Sequence, residues 1–267
     1  MLQNIGFIGA GNLAEAVIKG LAAGAEKPWI MAADLSKERL GVLAARYGVL
    51  SGEIEQVVAG SKVVILAVKP KDVAAVLKAL AAFPLQGKLV ISVAAGIPLT
   101  MLEKGLPGVA IVRVMPNTSC AVLLSMTGMV QGSLVGDKEK QLAEEIFSRV
   151  GDIIWVAEDK INAVTAISGS GPAYYYLFSE CLAAAGRELG LTEEEAEILV
   201  QATMAGASRM LHQSGKTPAR LREDVTSPNG TTYAALQKFE QADLRNIVLT
   251  AAKAAAERAA EMEKEYS

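Results

Sequence analysis

The sequence predicts an α/β chain in two parts, a sheet domain over residues 1–158 and an all-α domain over residues 159–267. Short runs rich in β-branched residues alternate with helical patterns in the first part. This alternation indicates right-handed crossovers and a mainly parallel sheet with helices on both faces. The strand signal ends after Asp159, where Ala, Glu, Leu and Arg dominate. With 267 residues and 51% apolar content, the chain can fill two ordinary cores.

The elements of the first part follow from where each apolar run begins and ends. Strands are predicted at Asn4–Ile8, Trp29–Ala33, Val63–Val68, Leu89–Val93, Ala110–Met115, Gly128–Val130 and Ile153–Val156. Helices between the early strands are predicted at Asn12–Ala23, Lys37–Tyr47, Lys71–Leu80 and Leu99–Lys104.

The second part is predicted to be helical throughout, at Ile161–Ile167, Ala173–Leu189, Glu193–Gln213, Tyr233–Gln241 and Leu244–Lys264. These helices carry more Ala and Leu than a thin helical layer needs to cover itself, which indicates an interface with a second copy. The segment TSPNGTT, residues 226–232, interrupts them, because Pro228 and Gly230 break almost any helix. A hinge, a plain connection or a binding loop would each explain this break.

Composition excludes several classes of function. A net charge of −3 without a basic cluster argues against a nucleic-acid partner. The strongest apolar run, Val63–Val68, is the length of a strand, so no membrane span is predicted. Cys120 and Cys181 are isolated, and the N-terminus lacks the pattern of a signal peptide, which together predict a cytoplasmic protein. His212 is the only histidine, so a Ser-His-Asp triad and a histidine metal cluster are excluded, and no metal site is predicted.

A glycine-rich fingerprint opens the sheet domain at the turn between the first strand and the first helix. Residues 9–14, GAGNLA, fit the pattern G-x-G-x-x-G/A. Gly9 permits the tight turn, Gly11 lets a pyrophosphate approach the backbone, and Ala14 lets helix and strand pack closely. Free amides at the helix start point at the anion. The sequence thus predicts a Rossmann-like dinucleotide-binding domain that holds its cofactor at Gly9, Ala10, Gly11, Asn12 and Leu13.

Asp34 ends the next strand, twenty residues after Ala14, where a carboxylate normally accepts hydrogen bonds from the ribose of NAD and repels the 2′-phosphate of NADP. Ser36, Lys37 and Arg39 follow at once and suit a phosphate. They suit equally well the solvated first turn of a helix with Ser36 as its N-cap. The residues therefore leave the choice of nucleotide open.

Further cofactor contacts are predicted where two later strands end. Ala67 lies near the end of the strand VVILAV and Lys69 follows it, and Ala94 and Ala95 follow ISV. Ligands of such sheets lie at the carboxyl ends of the strands, and small side chains there let a nicotinamide ring lie close. Each pair alone is more typical of an ordinary strand end than of a cofactor contact, whereas with the fingerprint they outline one crevice.

Three motifs resemble the signatures of the pyrroline-5-carboxylate reductases: RVMPNT at residues 113–118, SGSGPAY at 168–174 and DVTSPNGTT at 224–232. The similarity runs in order over almost the whole chain. It implies reduction of 1-pyrroline-5-carboxylate to L-proline, the last step of proline biosynthesis, with NADPH favoured and NADH as the alternative. It also implies that the helical domain serves dimerisation and substrate binding in a homodimer, often assembled further into a ring of dimers (a decamer).

The resemblance also assigns residues. It makes Thr232 the contact of the ring nitrogen, and it places Glu158 near the nicotinamide, where a plain surface carboxylate is an equally good interpretation. Asn229 and Thr231 depart from the family, which usually has a glycine and a small residue there, and Asp34 departs from its short hydroxyl residues. The implied substrate-binding residues are Ser168, Ser170, Gly171, Pro172, Ser227, Gly230 and Thr231.

Two rival classes share parts of this pattern. The β-hydroxyacid dehydrogenases use a catalytic lysine on the first helix of the second domain, but the corresponding GPAYYYLFSECLAAAG has no lysine. A non-catalytic nucleotide sensor would not need an intact SGSGPAY motif or Thr232. Hydride transfer to an iminium needs little acid–base machinery, which agrees with the absence of a triad.

Overall fold

The computed structural model describes residues 4–24 and 27–266. Its strands form one sheet in the order β3-β2-β1-β4-β5-β6-β7-β8, in which every neighbouring pair is parallel except β6 and β7. The strands are β1 (Ile5–Ile8), β2 (Ile30–Ala33), β3 (Leu50–Ser51), β4 (Val63–Leu66), β5 (Leu89–Ser92), β6 (Ala110–Met115), β7 (Ser125–Gln131) and β8 (Gly151–Trp155). The predicted α/β class with a mainly parallel sheet is therefore confirmed.

The helices of the described residues alternate with the strands and then follow one another. They are α1 (Asn12–Ala23), α2 (Lys37–Tyr47), α3 (Ile54–Gly60), α4 (Val73–Leu80), α5 (Leu99–Gly105), α6 (Asp137–Phe147), α7 (Ile161–Val164), α8 (Gly171–Glu188), α9 (Glu193–Gln213), α10 (Pro218–Asp224), α11 (Thr231–Gln241) and α12 (Leu244–Glu265). A π-helical turn, Thr165–Gly169, extends α7, and a 3₁₀ turn, Pro70–Asp72, precedes α4.

The sequence did not predict β3, α3, α6 and α10. Both α3 and α6 start with a side chain that reaches back to the backbone: Gln56 Oε1 accepts from the Glu53 amide at 2.8 Å, and Glu139 Oε2 accepts from the Gly136 amide at 3.1 Å. A Gln or Glu at the third helical position that accepts from the N-cap amide is one half of a capping box, and this half is visible in the sequence. The two residues of β3 are too few to show an alternation, so only pairing with β2 defines this strand.

Helices cover both faces of the sheet, as expected for parallel strands. Successive residues of each strand point to opposite faces, so Phe7 and Ile65 belong to one buried cluster and Ile8 and Val64 to the other. The first cluster includes residues of α1, α2 and α6, and the second includes residues of α3, α4 and α5. The strand ends that follow these buried runs are therefore held rigidly.

The chain forms two compact units, Met1–Ser170 with Ala254–Ser267, and Gly171–Lys253. This division differs from the predicted boundary at residue 158. Ile161 is fully buried in the second core cluster, and Tyr266, at the other end of the chain, packs against the same cluster. Burial thus joins α7 and the end of α12 to the sheet, although both are helical in sequence.

The second unit contains α8 to α11 and the beginning of α12. Many of its large apolar side chains are exposed in the single chain, among them Tyr175, Tyr176 and Leu177 of α8, Ile198 and Leu199 of α9, and Ile247, Val248 and Leu249 of α12. The helices of this unit thus carry the surplus of apolar side chains that the sequence predicted.

Candidate active site

Except for Glu158, the residues predicted to bind a cofactor lie at the carboxyl ends of four neighbouring parallel strands, β2, β1, β4 and β5. Backbone hydrogen bonds continue across this edge beyond the strands: the Gly9 amide donates to Ala33 O at 2.8 Å, and the Ala67 amide donates to Ile8 O at 2.8 Å. The tertiary structure therefore brings the glycine-rich turn, Asp34, Ala67, Lys69, Ala94 and Ala95 to one edge, where ligands of such sheets bind.

The glycine-rich turn has the shape that an anion site requires. Gly9 has φ +102°, and a Cβ at this position would lie 2.5 Å from Ala67 O, so no other residue fits without a backbone shift. A Cβ on Gly11 would meet no protein atom within 4 Å. Gly11 is the N-cap of α1 and offers no side-chain cap, while Ala14 is buried against the sheet. Open space over uncapped amides fits a pyrophosphate.

Both oxygens of Asp34 accept hydrogen bonds from backbone amides. The Ala10 amide donates to Oδ2 at 2.6 Å, and the Ser36 amide donates to Oδ1 at 2.7 Å. Ser36 is the N-cap of α2, since its hydroxyl accepts from the Arg39 amide at 3.2 Å. The carboxylate thus ties the glycine-rich turn to the start of α2, in addition to any role towards a ribose.

Arg39 is ion-paired with Glu15, so its guanidinium is not free to bind a phosphate. Arg39 Nη2 lies 2.7 Å from Glu15 Oε2, Arg39 Nε donates to Ala10 O at 3.0 Å, and Arg46 Nη1 lies 2.9 Å from Glu15 Oε1. The hydrogen bond from Arg39, together with the charge of Arg46, keeps the pKa of the Glu15 carboxyl below its usual value. Lys37 is exposed and forms no ion pair with the described residues. Sequence reasoning missed Glu15, although an acidic residue in a first helical turn is a visible signal.

Glu158 is more than a surface carboxylate. Its Oε1 accepts from the Leu99 amide, the first of α5, at 2.9 Å and from Arg113 Nη1 at 2.6 Å. Arg113 is 3% exposed, and the same Nη1 lies 2.7 Å from Glu263 Oε1. The sequence analysis did not identify Arg113 as a buried cation, although an arginine within the apolar run AIVRVM was a visible signal. It did not identify Glu263 either.

Two of the recognised motifs meet in the first unit. Asn117 Nδ2, from RVMPNT, donates to Ser168 O, from SGSGPAY, at 3.1 Å. Ser168 Oγ donates to Val164 O at 3.1 Å, and the Ser170 amide closes the π-helical turn on Thr165 O at 2.8 Å. The break between α7 and α8 therefore falls at Ser170. Gly171 and Pro172 already belong to the first turn of α8, a position that suits proline.

The segment 226–232 interrupts the helices of the second unit as predicted. Asn229 has φ +58°, and the Gly230 amide donates to Ser227 O at 3.0 Å, which closes a tight turn. Gly230 is the N-cap of α11 and has no side chain to cap it, and Thr231 and Thr232 form its first turn. The hydroxyls of Ser227, Thr231 and Thr232 have no hydrogen-bond partner among the described residues of this unit. Free amides and free hydroxyls together suit a small anionic ligand.

Within residues 4–24 and 27–266, no helix combines the length and the apolarity needed to cross a membrane. The same residues contain no cluster of three His, Cys, Asp or Glu side chains arranged to hold a metal ion.

Comparison with known proteins gives two family models and many full-length relatives. Residues 158–262 match a model described as pyrroline-5-carboxylate reductase dimerisation, and residues 4–96 match one described as NADP oxidoreductase, coenzyme F420-dependent. The pyrroline-5-carboxylate reductase of Pasteurella multocida is 40% identical over 98% of both chains. That of Pseudomonas aeruginosa is 40% identical over 97% of this chain and 96% of the relative.

Solved structures agree with the sequence relatives. A pyrroline-5-carboxylate reductase from Coxiella burnetii superposes with a TM-score of 0.93 at 39% identity, covering 98% of this chain and 99% of that one. A Plasmodium falciparum pyrroline carboxylate reductase with NADP bound has a TM-score of 0.84 at 29% identity, covering 97% and 98% of the two chains.

Proposed function

The chain belongs to the pyrroline-5-carboxylate reductase family, and from this premise we propose how its own residues perform the reaction. The protein is an NAD(P)H-dependent oxidoreductase that reduces the C=N bond of 1-pyrroline-5-carboxylate and forms L-proline. Its cofactor is NADPH, with NADH as the alternative donor.

The sheet unit binds the dinucleotide along its carboxyl edge in this proposal. The amides at Gly11, Asn12 and Leu13 receive the pyrophosphate, since no side chain caps them. Lys37 serves a 2′-phosphate better than Arg39 does, because Arg39 is already paired with Glu15. The small side chains of the segment 94–96 leave room for a nicotinamide ring.

The uncapped start of α11 is the observation that carries the proposal for the substrate. A small anionic imine needs its carboxylate held by donors, and the amides of the first turn of α11 with the Ser227 and Thr231 hydroxyls supply them. Gly230 leaves this helix start open because it has no side chain. The further substrate residues in the proposal are Ser168, Ser170, Gly171 and Pro172.

Thr232 orients the ring nitrogen. When bound, NADPH supplies the hydride that reduces the C=N carbon. The Thr232 hydroxyl hydrogen-bonds to the ring nitrogen: it donates to the neutral imine and accepts from the protonated iminium, and so holds the ring in one orientation. A threonine hydroxyl is a weak acid, and the substrate nitrogen is basic enough to carry its own proton. Thr232 therefore acts by orientation and proton relay rather than as a classical general acid.

The second unit is a dimerisation domain, in agreement with the family model that it matches. We propose that its exposed apolar side chains on α8, α9 and α12 meet those of a second copy, since an obligate interface resembles a core cut in half. The assembly of such homodimers into a decameric ring and a cytoplasmic location are further parts of the proposal.

A turnover assay tests the function directly. Purified protein is incubated with NADPH and 1-pyrroline-5-carboxylate, and both cofactor oxidation and proline formation are measured. We expect the two to rise in equal amounts, and to vanish when the substrate is omitted. A protein that binds NADPH tightly but forms no proline would be a nucleotide sensor. Turnover of a β-hydroxyacid instead of the imine would indicate a different reductase.

A further inference from the structure

A buried arginine joins three distant parts of the first unit. Arg113 lies in β6 and is 3% exposed. Its Nη1 lies 2.6 Å from Oε1 of Glu158, in the turn after β8, and 2.7 Å from Oε1 of Glu263, near the end of α12. A buried charge is costly unless it is paired, so removal of any one member leaves the others poorly compensated. The three side chains therefore act as one cluster.

Glu158 connects this cluster to the segment that follows β5. The carboxylate oxygen that binds Arg113 also accepts the hydrogen bond from the Leu99 amide at 2.9 Å. Pro98, the N-cap of α5, makes no side-chain cap of its own, so Glu158 caps this helix from a distance. Only Ile97 and Pro98 separate the capped amide from Gly96. The position of Glu158 therefore sets the position of residues 94–96.

The end of α12 braces the same segment from another direction. Gly96 has φ +72°, and a Cβ at this position would lie 3.1 Å from Met262 Cβ, which shows how closely the helix approaches the segment. Asn162 Nδ2 donates to Glu263 Oε2 at 2.8 Å and holds the carboxylate from its second side. Adjacent residues of α12 thus contact the 94–96 segment and bind the arginine that orients its cap.

We propose that Arg113 and Glu263 are positioning residues for hydride transfer. They hold Glu158 as the cap of α5 and thereby fix residues 94–96, against which the nicotinamide ring lies. This role rests on the cofactor placement proposed above. Neither residue needs to touch the cofactor, because a displacement of about 1 Å at the reacting groups is enough to cost on the order of a hundredfold in rate.

The variant Glu263→Gln tests this role, because it keeps the shape of the side chain and removes the charge opposite Arg113. We expect kcat to fall about tenfold through misplacement of the ring. The dissociation constant for NADPH should rise, whereas that for adenosine 2′,5′-bisphosphate, which lacks the nicotinamide, should stay at the wild-type value. The matched control is Glu261→Gln on the same helix, which breaks an exposed ion pair in which Arg258 Nη1 lies 2.8 Å from Glu261 Oε2. This variant should change neither of the two dissociation constants.

The comparison of the two ligands separates positioning from plain stability. Equal weakening of NADPH and the bisphosphate, or no change in either, would overturn the proposal. If Glu263→Gln unfolds, Met262→Ala provides the same test, since it removes the side chain beyond Cβ, including the Cε that would lie 3.4 Å from a Cβ on Gly96, and leaves the ion pairs in place. The binding measurements need no turnover. They therefore decide the positioning role even if the wild-type protein fails to reduce the imine.

Discussion

Replacing Asp34 by serine should shift the cofactor preference towards NADPH. The Asp34 carboxylate accepts hydrogen bonds from the amides of Ala10 at 2.6 Å and Ser36 at 2.7 Å. These bonds fix the glycine-rich turn, whichever cofactor binds there. Their loss weakens both cofactors alike and cancels in the ratio of the two specificity constants. The charge does not cancel, because only NADPH carries the 2′-phosphate that the carboxylate repels.

The size of the shift follows from Coulomb's law. A bound phosphate monoester carries a charge of about −2 at neutral pH. At a separation of about 5 Å in water, a unit charge and such a phosphate repel by about 1.7 kcal/mol. Screening over a Debye length of about 8 Å reduces this to about 1 kcal/mol. The ratio of kcat/KM for NADPH to that for NADH should therefore rise about fivefold in Asp34→Ser.

The assay measures kcat/KM for both cofactors at saturating 1-pyrroline-5-carboxylate, at low and at high ionic strength. The shift should shrink as salt is added, since the separation is comparable to the Debye length. Asp152→Ser, an exposed aspartate of β8 at the far edge of the sheet, is the matched control and should leave the ratio unchanged. An unchanged ratio in Asp34→Ser, with both cofactors weakened equally, would refute the reasoning and show that Asp34 serves only groups that the cofactors share.

Three further outcomes are expected. Thr232→Val keeps the shape of the side chain and removes the hydroxyl, so it should lower kcat by about tenfold to a thousandfold with little change in the KM for NADPH. Thr232→Ser should recover much of the rate. Equal activity of wild type and the valine variant would show that Thr232 only shapes the helix start. Glu15→Gln should lower the melting temperature at neutral pH. Arg39 and Arg46 depress the pKa of Glu15 in the folded state. The contribution of the Glu15 carboxylate to stability is therefore present above the unfolded pKa and is lost as pH falls through the folded pKa. The melting temperatures of wild type and Glu15→Gln should converge in acid, and a difference that stays constant with pH would contradict this. Sedimentation at nanomolar concentration should show a dimer, and a stable, active monomer would contradict the proposed interface.

The succession of elements was largely predictable because its signals are local. Strands such as β4 are continuous apolar runs, and the glycine-rich turn after β1 carries its conformational requirement in Gly9 itself. The break at residues 226–230 follows likewise from Pro228 and Gly230. Six of the seven predicted strands differ at one or both ends from those observed; Gly128–Val130, for example, is part of the longer β7, and Ile153–Val156 lies within and just beyond β8. Pairing with a neighbouring strand, which the sequence does not show, sets those ends.

The amino-acid sequence by itself determined the fold class, the dinucleotide fingerprint and the helix break at residues 226–232, since each depends on residues a few positions apart. Only the tertiary structure decided which partner each charged side chain binds. Asp34 binds the amide of Ala10 across 24 residues, and Arg113 binds Glu158 across 45. Such contacts arise when the parallel sheet brings remote strand ends to one edge and a terminal helix packs beside them. Their energy depends on burial and on angstrom-scale distances, and no periodicity along the chain records either quantity.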